Sequence, residues 1–123
     1  MSAVLLVAAS LVLFIGVAHS VLGERFVLPR LLALPDLPLL HRDRRYTTSV
    51  LRYAWHLTSL AWWGLAGILI VVAVSGPSVR NVGAVVAGTL LLSAVVILVT
   101  AGRRHPAWSL FLLAGAAAWY GTW

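Results

Sequence analysis

Apolar residues run almost unbroken through four stretches of this chain, and the polar residues gather between them. The first stretch, 3–22, is interrupted only by Ser10, Gly16, His19 and Ser20; the others cover 50–74, 82–101 and 107–123. A hydrocarbon core of ~30 Å takes about 20 apolar residues in a helix, within a usual range of roughly 17 to 25, so each stretch has the length of a span. Backbone groups in lipid must bond within the chain, and four strands cannot close a barrel. The pattern therefore predicts an all-α integral membrane protein, a four-transmembrane-helix up-down bundle in one domain over 1–123.

The breaks agree with this division. Ser75-Gly76-Pro77-Ser78 cannot continue a helix. Gly102-Arg103-Arg104-His105-Pro106 ends the third stretch, with Pro106 placed to start a new helix, where its missing N–H costs nothing. The first stretch lacks a basic start and is too long for a signal-peptide core, so it is expected to remain as a helix. The connection over 23–49 is too apolar for open solvent and too broken by Pro29, Pro35 and Pro38 for a span. It reads as a Pro-rich loop lying in the membrane interface, with a short helix over 28–34.

Composition strengthens the membrane reading. Of 123 residues, 62% are hydrophobic and 10% charged, against about a quarter charged in soluble domains. There is no cysteine, which excludes disulfides, thiolate metal sites and cysteine nucleophiles.

Arginine placement then orients the spans. One side receives Arg25, Arg30, Arg42, Arg44, Arg45, Arg52, Arg103 and Arg104, whereas the other receives only Arg80. By the positive-inside rule the arginine-rich side is cytoplasmic and both termini are outside, as in a bacterial-type inner (plasma) membrane. The expected contacts of these arginines are anionic lipid head groups. The net charge of +6 does not indicate nucleic-acid binding, because it lies in juxtamembrane loops without a nucleic-acid fold. Trp108 on one side, and Trp119, Tyr120 and Trp123 on the other, match interfacial belts, while Trp62 and Trp63 lie deeper, where an indole N–H needs a partner.

The candidate chemistry concentrates on the arginine-rich side. His19, His56 and His105 fall at the ends of three different spans, and Glu24, the one glutamate, follows Gly23. If Gly23 ends the first helix in a left-handed conformation, Glu24 folds back toward His19; within a continuous helix the two point apart. The expected metal set is His19, Glu24, His56 and His105, suited to zinc, iron or copper. A haem with His19 and His56 as axial ligands is a second version, and a quinone or lipid head group hydrogen-bonded to histidine a third. Arg52, His56, Ser59 and Trp63 recur at helical spacing, and Arg52, Ser59, Trp63, Arg103 and Arg104 are the expected pocket residues. Ionisable groups within a span are functional hypotheses by default. The alternative is an accessory or scaffold subunit, in a larger membrane complex or a homo-oligomer, whose polar cluster locks helices together. Ser20 beside His19, and Ser59 three residues from His56, do not indicate a Ser-His-acid triad.

Overall fold

The computed structural model describes residues 2–123, and every regular element among them is helical. Helix α1 (Ser2–Leu22) passes through a π-helical segment, Gly23–Val27, into α2 (Leu28–Leu32). A single 3-10 turn, Leu40–Arg42, precedes the remaining helices, α3 (Arg44–Ser75), α4 (Val79–Thr100) and the shorter α5 (Ala107–Tyr120). The rod Ser2–Leu32, α3 and α4 are each long and apolar enough to cross a membrane, consistent with an integral membrane protein. The fourth expected span is shorter than its sequence stretch: α5 has 14 residues and gives way to a turn at Gly121.

The first helix does not end at Gly23. Gly23 is helical, and the positive-φ glycines are Gly76 and Gly102. The physical reason lies downstream, at Pro29 in the first turn of α2. A proline ring within a helix collides with the carbonyl four residues before it. A widened π turn just ahead of Pro29 relieves that collision and lets the rod continue. The expected separate helix over 28–34 is thus the end of this rod, and the irregular connection shrinks to residues 33–43.

Packing follows chain order: α1 lies along α3, α3 against α4, and α4 against α5. In the rod the buried positions are Ala9, Gly16, Gly23 and Leu28, of which the first three are small and recur every seven residues. Helices in lipid gain little from a hydrophobic force and associate where small residues let backbones approach. Here α3 fills the notches with indoles. A Cβ at Gly23 would fall inside the Trp55 ring, and one at Gly16 inside the Trp63 ring. Each indole also donates to α1, Trp55 to the His19 carbonyl at 3.1 Å and Trp63 to the Leu13 carbonyl at 3.2 Å. Of the two deep indoles, Trp62 and Trp63, it is Trp63 whose N–H finds its partner on α1. Gly64 against Thr89, and Gly115 against Leu91, serve the next two interfaces in the same way.

The 33–43 connection is tied to the arginine-rich side. Arg44 donates to the carbonyls of Leu32 and Leu34 at 2.8 and 2.7 Å, a cation at the end of the rod where unpaired carbonyls gather. Asp43 caps α3 by accepting from the Tyr46 amide at 3.0 Å and pairs with Arg104 at 2.8 Å, so it joins both connections on that side. The Tyr46 amide, helped by Arg104, holds the Asp43 carboxyl below its ordinary value.

Two outcomes are expected. Gly23→Ala should lower stability in detergent by roughly 1–3 kcal/mol, the cost of overpacking, and Trp55→Ala in the same chain should recover part of it. An unchanged thermal midpoint for Gly23→Ala would contradict the notch. Because the folded Asp43 pKa is depressed, its stabilisation is complete above the ordinary carboxylate range and is lost as pH falls through the lowered folded value. In melts from about pH 6 down to about pH 3, the wild-type chain should therefore lose stability that Asp43→Asn, already lacking it, does not lose.

Candidate functional site

The site is built by two helical faces meeting. Ser20 and Glu24 are four residues apart on the rod, and Arg52, His56 and Ser59 lie at successive turns of α3, spacings that put each set on one face. Where the faces meet, the His56 ring stands between the two rod side chains. Its Nδ1 lies 2.9 Å from Ser20 Oγ and its Nε2 2.8 Å from Glu24 Oε1. Arg52 Nε donates to the same Glu24 oxygen at 2.9 Å, and the hydroxyls of Ser20 and Ser59 are joined at 2.8 Å. The result is a continuous relay, Ser59–Ser20–His56–Glu24–Arg52. It runs from Ser59, with no exposed surface, to Arg52 and Glu24, whose side chains are 47% and 39% exposed.

Distance along the helix is in keeping with that gradient: His56 is about 28 Å along α3 from Ser75, close to the ~30 Å thickness of a hydrocarbon core. Beside the relay is an open depression lined by Ser20, Val21, Glu24, Arg25 and His56. Arg25 is exposed and has no carboxylate partner among the described residues.

With Glu24 ionised, hydrogen-bond valence constrains the proton positions. An ionised carboxylate only accepts, so the proton between His56 and Glu24 is on Nε2. With neutral His56, Nδ1 carries a lone pair and accepts from the Ser20 hydroxyl, which then accepts from Ser59 instead of donating to it. With His56 protonated, Nδ1–H donates to Ser20, which passes its own proton toward Ser59. The two states differ by one proton and by the direction of the hydroxyl bonds.

The four expected metal ligands do not converge. Among the described residues no group of three His, Asp or Glu side chains could hold a metal ion. His19 is turned away from the relay, stacked on Trp55 at 4.4 Å and met edge-on by Trp62 at 5.1 Å, with its buried Nε2 lacking a hydrogen-bond partner. His105 contacts α3 elsewhere: its Nε2 is 2.8 Å from the Tyr53 hydroxyl and its Nδ1 accepts from the Ala107 amide at the start of α5. Of the set, only Glu24 and His56 meet. The physical reason is that depth places residues in a layer, whereas helical phase decides which of them touch. The haem version meets the same obstacle, because both His56 nitrogens are occupied and His19 faces indoles. A quinone carbonyl would have to displace Ser20 or Glu24 from His56.

Among the expected pocket residues, Arg52 and Ser59 are in the relay, and Trp63 lies deeper in the same interface, on Gly16. Arg104 is engaged by Asp43 and the face of Tyr46, while Arg103 offers its carbonyl to Trp108, both in the α4–α5 connection. Ser20, which its chain neighbour His19 does not mark as functional, belongs to the relay, and its four-residue spacing from Glu24 carries the signal. Comparison with known protein families, with curated proteins and with solved structures finds no match.

If the relay acts as a unit, Glu24→Gln and Arg52→Gln should each lower stability by about 1 kcal/mol, and the double variant should lose less than the sum. Thermal unfolding in one detergent checks this, and additivity within ~0.5 kcal/mol would show that the two residues are independent.

Proposed function

We propose that this is an inner-membrane protein whose working site is the relay and its depression, and that the site binds the head group of an anionic amphiphile. Both termini are outside, the arginine-rich face is cytoplasmic, and α5 is a short fourth span of about 21 Å, anchored by Trp119, Tyr120 and Trp123 through local thinning of the bilayer. The observation that carries the reading is charge: Arg25 lines a depression whose one carboxylate, Glu24, is already neutralised by Arg52, which leaves the rim net positive. A phosphate there meets guanidinium donors in the fork geometry it favours.

The second reading is a scaffold subunit, in which the relay only joins α1 to α3. It is favoured by the pairing of every member of the relay within the relay itself. Binding separates the two. In nanodiscs of zwitterionic lipid, titration with phosphatidylglycerol should give a saturable binding signal in the chain's intrinsic tryptophan fluorescence. Arg25→Gln should weaken that binding about fivefold, since one basic residue near the surface contributes roughly 1 kcal/mol, without lowering the melting temperature. No saturable signal, or equal affinity for zwitterionic lipid, would favour the scaffold.

A further inference from the structure

The geometry points to a chemical activity at this site: Ser20 is a nucleophile that takes the acyl group from a fatty-acyl ester, with His56 as its base and Glu24 as the group that orients the base. This rests on the head-group reading above, which brings the ester to the site. Three observations carry it. Ser20 Oγ and Glu24 Oε1 hold opposite nitrogens of one imidazole at 2.9 and 2.8 Å, the nucleophile–base–orienter arrangement recognised by geometry and not by chain order. The ring is used the other way round from the usual one, Nδ1 toward the hydroxyl, and either imidazole nitrogen can take the proton. Ser20, His56 and Glu24 all line the open depression, so a carbonyl can reach the hydroxyl without unfolding the helices. In the membrane placement proposed above, this depth is the boundary between hydrocarbon and head groups, where the ester carbonyls of an amphiphile lie.

The step balances on these residues and two reactants, an ester and water. Ser20 Oγ attacks the ester carbonyl carbon as its proton passes to His56 Nδ1, and the imidazolium formed is held by Glu24 through Nε2–H. Arg25, on the rim of the same depression, is the cation available to the developing oxyanion. Collapse breaks the bond to the alcohol oxygen, which takes the proton from His56 and leaves an ester on Ser20. Water, losing a proton to the same nitrogen, then releases the fatty acid and restores the Ser20 hydroxyl. Arg52 does not touch the reacting atoms. It is a positioning residue, holding the Glu24 oxygen on which His56 rests.

The test is covalent labelling of the full chain in nanodiscs by an alkyl fluorophosphonate, with the adduct located by peptide mass spectrometry. One adduct on Ser20 is expected, absent in Ser20→Ala and unchanged in Ser10→Ala, whose hydroxyl only bonds its own helix at Leu6. Labelling should slow by about a hundredfold or more in His56→Ala, the usual contribution of a positioned base. It should rise in wild type with deprotonation of a single group, a pH profile that a structural histidine would not impose. Should His56→Ala fail to fold, Glu24→Gln and the wild-type profile decide the matter. No adduct on Ser20 in the folded wild-type chain overturns the proposal, as does labelling at an equal rate without His56. Labelling that persists without selective phosphatidylglycerol binding would sink the head-group reading and keep the nucleophile. Binding without labelling would do the reverse.

Discussion

Close backbone approach between α1 and α3 is the constraint on which the rest depends. Gly16 and Gly23 leave room for Trp63 and Trp55, and the two indoles donate to carbonyls on the facing helix. In lipid, where apolar surface gives helices little reason to associate, notch packing and interhelical hydrogen bonds are the available attractions. The short hydroxymethyl of Ser20 can reach both His56 and Ser59 only because the notches bring the backbones together. The rod otherwise buries only Ala9 and Leu28, so this one interface holds it to the remainder of the molecule.

Electrostatics acts within that frame. Glu24 accepts from both Arg52 and His56 through one oxygen, and at the edge of the hydrocarbon such groups must satisfy one another or reach water. The second carboxylate with partners, Asp43, joins the two connections on the arginine-rich side through Arg104 and the start of α3. Two of the three acids are thus committed to arginine, while Arg25 is left to face whatever occupies the depression.

The helical class and the long spans were legible because a bilayer imposes length and apolarity on each segment, a signal that survives without knowledge of packing. Glu24, His56, Arg52 and Ser59 were legible as polar groups where polarity is costly. Their pairing was not. His19, His56 and His105 share a depth, which span boundaries reveal, but they face three different neighbours, which depends on rotation about each helix axis. The π turn before Pro29 hid the course of the rod, since Gly23 beside a charged residue looks like a helix end. Ser20 read against its chain neighbour His19 reveals no partner, because the partner is on another helix; the spacing of Ser20 to Glu24, laid against that of Arg52 to His56, contains the contact.

The central claim is that His56 bridges Ser20 and Glu24 with a proton fixed on Nε2. The most direct measurement is nitrogen NMR of ¹⁵N-histidine-labelled protein in nanodiscs, with the His56 signals assigned by their loss in His56→Gln. In its neutral form His56 should be the Nε2–H tautomer, with Nδ1 showing the shift of an acceptor engaged by a hydroxyl that returns toward a free nitrogen in Ser20→Ala. A neutral His56 with its proton on Nδ1, or a ring exchanging freely between tautomers, would contradict the relay.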